Sequence, residues 1–309
     1  MAIDRYEDDN PAIELGYWPA EGIDAEKVAK DEIRAREGGQ DSPDASDESS
    51  DPGSGVVDGE DRTAYHLRYR EVAEAEFLAA GRERWDAAKE GLAAEWRDCA
   101  RRHPVRAEVP PALDHAAIEK VKKGCDRIGE VEENIVTPAM LRIEAADPDR
   151  HLVGLEHRRK GQDRIMEKLA ASLEEQPDLS PEEALVSVKD TIRYTFQYAE
   201  EGYFEGVHAD IDRLKVEGYE LVDIRNSWAS EEYKGVNSRW RVAESGQLFE
   251  VQFHTGISFE AKQLTHEAYE RVRRPSVTKP EQDELVQFQR RVNSYVPYPH
   301  RVLDIPHHS

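Results

Sequence analysis

The chain has 309 residues, of which 38% are hydrophobic and 35% charged, and it carries a formal net charge of −23. An acid excess of that size argues against general binding to DNA or to anionic membrane, because non-specific attraction to phosphates scales with the cations presented. No run of about 18 apolar residues and no basic-then-apolar leader occurs, so neither a membrane span nor a signal peptide is expected, and the expected site of action is cytoplasmic.

The acid excess is uneven. Residues 1–62 hold 19 of the 65 acidic residues and 6 of the 42 basic ones, and the tract from Gly38 to Glu60, GGQDSPDASDESSDPGSGVVDGE, cannot bury enough apolar surface to offset chain entropy. Residues 1–62 therefore read as a disordered acidic tail and linker, with Tyr17, Trp18 and Pro19 as an isolated apolar island. Residues 63–147 read as an α-helical region: Leu67, Val72, Phe77, Leu78, Trp85, Leu92 and Trp96 recur at helical intervals over one long helix or two. A helix over about Ala112–Val131 follows, then a third after Thr137-Pro138, with Thr137 the expected N-cap. Cys99 and Cys125 fall in these helices with no paired spacing and read as reduced thiols.

From residue 148 the pattern changes. A helix is expected over Arg158–Leu173, and Ser180-Pro181-Glu182-Glu183 has the form of a capping box opening a short helix. Ile192, Tyr194, Phe196 and Tyr198 alternate with polar residues, which predicts a strand from Asp190 to Tyr198. A helix bearing Phe204, Val207, Ile211 and Leu214 ends at Gly218. Strands are then expected over Tyr219–Asn226, Ser238–Val242 and Leu248–Thr255, with a helix over Phe259–Arg273 stopped by Pro275. Residues 148–275 thus read as an α+β domain, a mixed sheet flanked by helices, and residues 276–309 as a C-terminal helix and tail.

Three segments carry candidate chemistry. In the last strand, Phe249, Val251 and Phe253 point to one face and Glu250, Gln252 and His254 to the other, leaving a polar sheet face that needs either solvent or a ligand. Arg158, Lys160, Arg164 and Lys168 form a basic run in which the last three repeat at i, i+4, i+8, a spacing that places them on one helix face as a phosphate cradle or as a solvated stripe paired with nearby acids. Tyr233-Lys234-Gly235-Val236-Asn237 is a loop that combines a stacking surface, a cation and an amide, or is an ordinary turn with a packed Tyr.

In this order and spacing the segments resemble the synthetase domain of RelA/SpoT proteins, a nucleotidyltransferase-like fold, over roughly residues 150–272. The resemblance implies ATP contacts at Arg158, Lys160, Arg164, Lys168 and Arg193, and a Mg²⁺ site at Asp190 and Glu250. It also implies Glu250 as catalytic base and acceptor contacts at Tyr233, Lys234, Asn237, Gln252, His254 and His266. The sequence departs from the family at Arg164 (often Ser), Asn237 (usually His) and His254 (usually Arg, in Glu-x-Gln-x-Arg-Thr), and Arg193 follows Asp190 by three residues rather than five. These departures keep the implied metal and base positions and, at Asn237 and His254, alter the acceptor side, and the segment AKQLTHEAYERVR looks more like toxin-type members.

The resemblance implies an ATP-dependent pyrophosphokinase that acts on the 3′-hydroxyl of a purine nucleotide, as in alarmone synthesis of the (p)ppGpp or (p)ppApp type, or of a tRNA 3′ end. Such a growth-inhibiting toxin would be matched by an antitoxin or immunity protein. Two other readings are open. One is an NAD-dependent ADP-ribosyltransferase, although Leu248 stands where that class usually has a second Glu or Gln. The other is a catalytically degenerate binding or phage-structural protein that docks a partner through residues 63–147.

Overall fold

The computed structural model describes residues 59–104, 113–176, 178–188, 190–274 and 276–307, with side chains from Val72 onward except that of Ser187; the described residues belong to one compact unit. The acidic tail up to residue 58, its Tyr17-Trp18-Pro19 island and the expected stop at Pro275 lie outside them.

Helix α1 (Gly59–Arg102) is a single helix. Helix α2 (His115–Val131), capped by the Asp114 side chain on the Ala117 amide, runs without a break through a π-helical turn (Glu132–Val136) into α3 (Thr137–Ala145). Thr137 is therefore not the expected N-cap. Its residue sits inside a continuous helix, and its hydroxyl donates to the carboxylate of the fully buried Glu132. Helix α4 (Gln162–Glu175) starts four residues later than expected. Helix α5 (Pro181–Ser187) opens on the expected capping box, Ser180 accepting from the Glu183 amide and Glu183 from the Ser180 amide.

The sheet has five strands in the order β1-β2-β5-β4-β3: β1 (Arg150–Val153), β2 (Arg193–Tyr198), β3 (Tyr219–Asn226), β4 (Val236–Val242) and β5 (Leu248–Thr255). Only the β2–β5 pair is parallel; the other three pairs are antiparallel, so the sheet is mixed as expected. Strand β1 had no counterpart in the sequence reading. It is a four-residue edge strand whose first side chain, Arg150, is fully buried against Asp210 at 2.6 Å.

The side-chain alternation divides the sheet. Tyr194, Phe196, Phe249, Val251, Phe253 and Trp240 occupy one face and are fully buried, in one cluster with Met140 and Ile143 of α3 and with Val207 and Leu214 of α6 (Tyr203–Val216). Burial of this kind stabilises by roughly 25 cal/mol per Å² of apolar area, which makes this face the main anchor of the fold. Gly218, at φ +89°, supplies the left-handed residue that turns the chain from α6 into β3. Helix α7 (Gly256–Val272), opened by a Thr255–Ser258 capping box, folds back so that Lys262 reaches Gln252 on the opposite, polar face. Helix α8 (Lys279–Asn293) and α1 pack behind α7: Trp96 and Phe288 rings lie 5.3 Å apart, and the Trp85 indole donates to Glu260 at 2.7 Å.

Candidate active site

Strand register builds the polar face. Across the sheet, Asp223 of β3 pairs with Arg239 of β4, Arg239 with Glu250 of β5, and Glu250 with Arg193 of β2, giving a row of alternating charge. The next row on the same face reads Arg225, Asn237, Gln252, Thr195. A carboxylate in the middle strand is thus flanked by guanidinium groups on both neighbours. Arg193 Nε donates to Glu250 Oε2 at 2.7 Å, and Arg239 is paired with Asp223.

Asp190 enters through the chain just before β2. The segment Arg158–Lys160 pairs antiparallel with Thr191–Arg193: the Arg193 amide donates to Arg158 O at 2.7 Å and the Lys160 amide to Thr191 O at 3.0 Å. That short pairing delivers Lys160 to Asp190. The two are directly ion-paired, Lys168 reaches the same carboxylate at 3.3 Å, and Arg193 Nη2 reaches it at 3.1 Å. One guanidinium therefore bridges Asp190 and Glu250. Both carboxylates stay partly open to solvent, at 21% and 13%. Such hard oxygen donors in an open setting fit a Mg²⁺ ion, with the cations around them free to turn to phosphate oxygens.

The electrostatics follow from this crowding. Burial alone would raise the Asp190 pKa, but Lys160, Lys168 and Arg193 outweigh it and hold the carboxyl well below its ordinary range. Burial pushes the Lys160 ammonium down to about 8 despite Asp190, with Lys168 adding to the shift. Burial also acts against the Arg193 charge, yet Glu250 and Asp190 raise its pKa overall, which keeps it cationic.

Other expected residues land elsewhere. Lys160 precedes α4 rather than lying on it, so the i, i+4, i+8 helix face does not exist; Lys160 and Lys168 meet at Asp190 through the backbone pairing instead. Arg158 turns to the buried Glu132 at 2.7 Å, a carboxylate that also accepts from the hydroxyl of Tyr194 on the apolar face. Arg164 is exposed and paired with Glu167 at 3.0 Å.

On the expected acceptor side, the loop is built inward. His254 is fully buried, with Nε2 2.9 Å from the Tyr233 hydroxyl and Nδ1 2.9 Å from Ser258 Oγ. Burial drives its pKa well below the ordinary value, so the ring is neutral. The Tyr233 hydroxyl also donates to Asn237 Oδ1 at 2.9 Å. Gly235 lies against the His254 ring, where a Cβ would come within 2.7 Å of Cε1, which explains the glycine in Tyr-Lys-Gly. His254 thus holds Tyr233 and has no ring nitrogen left for a ligand. Lys234, expected to contact acceptor, is buried. Its ammonium donates to Trp228 O at 2.8 Å, Ser230 O at 2.5 Å and the Tyr298 hydroxyl at 2.6 Å, so it clamps the loop to the C-terminal segment.

Gln252 remains in the cleft, its amide nitrogen donating to Glu250 Oε1 at 2.9 Å and its oxygen accepting from Lys262. His266 lies one turn beyond Lys262 on α7. Burial is the main cause of its lowered pKa, and the charges of Lys262, Arg193 and Arg164 lower it further against the opposing pull of Glu270. Lys262 was not foreseen in the sequence, because a lysine in a charged helix reads as solvated and only the fold shows it crossing to Gln252. Cys99, His103 and Glu284 form a separate grouping of ligand-type side chains where α1 meets α8. Glu284 there is already hydrogen-bonded to His103 at 2.6 Å and paired with Arg102, whose positive charge opposes a metal ion.

No family model and no curated protein matches the chain. Among solved structures, the chain is similar to the Type VI effector Tas1 in complex with its immunity protein, at 18% identity over 62% of this chain and 98% of that one, with a TM-score of 0.38. It is also similar to small alarmone synthetase 1 from Bacillus subtilis bound to pppGpp, at 13% identity over 58% and 86%, TM-score 0.33. Small alarmone synthetase 2 from the same organism matches at 14% identity over 61% and 95%, TM-score 0.36.

Proposed function

We propose that the protein transfers the β,γ-pyrophosphate of ATP to the 3′-hydroxyl of a purine nucleotide or of a tRNA 3′ end, and acts as a growth-inhibiting toxin. The observation that carries this reading is the Arg193 bridge. One guanidinium joins Asp190 to Glu250, with Lys160 and Lys168 on the first carboxylate and Gln252 on the second. Two carboxylates, a set of cations and a partly exposed polar sheet face are what phosphoryl chemistry requires, because positioning and charge neutralisation supply most of the rate.

Asp190 and Glu250 would hold Mg²⁺, which supplies positive charge to the phosphate oxygens. Lys160 and Lys168 exchange Asp190 for those oxygens when ATP arrives, and Arg193 carries charge between the two carboxylates. Glu250 takes the proton of the 3′-hydroxyl. The oxygen then forms a bond to the β-phosphorus, the bond from that phosphorus to the α,β-bridging oxygen breaks, and AMP leaves with the electron pair. Tyr233, held upright by His254 and Asn237, offers its ring to the acceptor base.

The test is to incubate the full chain with γ-labelled ATP, Mg²⁺, a panel of purine nucleotides and bulk tRNA. The reading requires label on an acceptor together with stoichiometric AMP. Release of ADP and phosphate instead, or consumption of NAD without ATP, would assign the site to another reaction.

A further inference from the structure

Two lysines flank the acceptor side of the cleft, Lys234 buried and Lys262 half-buried, and their hydrogen bonding differs. Lys234 is saturated: its three donors meet two backbone carbonyls and the Tyr298 hydroxyl, and its ammonium lies 4.6 Å from the centre of the Tyr298 ring. Lys262 is not. Among the described residues its ammonium has one hydrogen-bond acceptor, Gln252 Oε1, and stands 5.3 Å from the centre of the Phe259 ring. An ammonium carries three donors, and a partly desolvated one that leaves two of them without a protein partner is set to take an anionic oxygen.

We infer that Lys262 is the acceptor-side cation of the cleft and binds the phosphate 5′ to the accepting ribose, whereas the sequence placed Lys234 among the acceptor contacts. The inference rests on the pyrophosphate-transfer reading for the location of the acceptor. A nucleotide carries its 5′-phosphate across the sugar ring from its 3′-hydroxyl. With the hydroxyl at Glu250, the phosphate lies one sugar-width away, the separation that the Gln252 side chain spans between Glu250 and Lys262. The same contact fixes the Gln252 amide: with its oxygen held by Lys262, its nitrogen must face Glu250 and donate to it. Lys262 therefore couples acceptor binding to the orientation of the carboxylate that takes the proton.

This contact reads a feature shared by a free nucleotide and the last residue of an RNA strand, and it is silent to a nucleoside. Arg225, exposed on β3 in the same row as Asn237 and Gln252, is the competing cation.

Equilibrium dialysis of the full chain tests the inference without needing turnover, with purine nucleosides, their 5′-monophosphates and a short RNA ending in CCA as ligands. Loss of one charge-assisted contact predicts that Lys262→Met weakens binding of the 5′-phosphorylated ligands about ten-fold or more and leaves nucleoside binding unchanged. Lys262→Arg keeps most of the preference, while Lys234→Met at a temperature where it stays folded leaves it intact. Tight binding of the monophosphates marks a mononucleotide acceptor; tight binding of the RNA alone marks a strand end. The inference is overturned if wild type shows no preference for phosphorylated ligands, if Lys262→Met weakens nucleoside and nucleotide equally, or if Arg225→Met removes the preference in its place. A chain that shows the Lys262-dependent preference yet moves no label from ATP keeps this subsite and loses the transfer reaction.

Discussion

The two sides of the cleft use their charges in opposite ways. On the Asp190 side, Lys160, Lys168 and Arg193 converge on one partly exposed carboxylate and can trade it for phosphate oxygens. On the Tyr233 side, the loop spends its polar groups on itself: Lys234 on backbone carbonyls, His254 on Tyr233 and Ser258, Tyr233 on Asn237. A charged residue near a site is thus a ligand contact only if its own hydrogen bonds are exchangeable, and exposure and partner type decide that more than sequence position does.

The sharpest break of this contrast is Asp190→Ala. It removes the shared partner of Lys160, Lys168 and Arg193 and half of the proposed metal site, so transfer should fall by about a hundred-fold or more, and growth arrest on expression should vanish. Unchanged toxicity would favour a scaffold that docks partners. Next in size, Lys168→Met should raise the KM for ATP about ten-fold while leaving the KM for acceptor alone, since one charge-assisted contact is lost on the donor side only.

Lys234→Met should instead show as stability. It leaves two carbonyls and the Tyr298 hydroxyl without their donor, a cost of about 1–3 kcal/mol in chemical denaturation. An acceptor KM that rises in a still-folded variant would erase the difference between the two lysines.

pH separates function from stability. Lys160, facing Asp190 and Lys168, and Lys262, facing Arg193 and Glu250, are both pushed by burial from 10.5 down to about 8. The rate constant kcat/KM should therefore fall as pH rises through about 8, where the free enzyme loses these charges. Their contribution to stability moves the other way. Between about 8 and 10.5 the unfolded chain binds more protons than the folded one, so these two groups favour folding more as pH rises. The smallest effect is expected at Arg164: exposed and paired with Glu167, its replacement by Ala should change transfer by about two-fold or less, in keeping with a surface pair.

Much of the sheet was legible. Strands β3 and β5 run over the residues expected; in β5 the alternation of Phe249, Val251 and Phe253 with polar residues is unbroken, whereas in β3 a register shift between Leu221 and Asp223 interrupts it, so that Tyr219 and Ile224 are both buried. Strand β1 was not, since its four residues show no alternation and its anchor is the tertiary pair between Arg150 and Asp210. The polar row on β5 and the residues around Asp190 were visible as residue types, yet the route that joins them was not. Lys160 reaches Asp190 by a backbone pairing between the segments at 158–160 and 191–193, which no periodicity encodes. For the same reason Lys234 was expected to contact the acceptor while Lys262 carried no expectation. A lysine beside Tyr and Gly resembles a ligand contact, and one in a charged helix resembles a solvated face, until the fold shows which ammonium is already saturated.

The central claim is that Glu250 takes the proton of an acceptor hydroxyl in a transfer from ATP. Glu250→Gln keeps the size of the side chain and its neighbours Arg193 and Gln252 while removing the base. With γ-labelled ATP and the acceptor that wild type labels, the variant should bind both substrates and transfer about a hundred-fold more slowly or worse. Transfer at the wild-type rate would contradict the account.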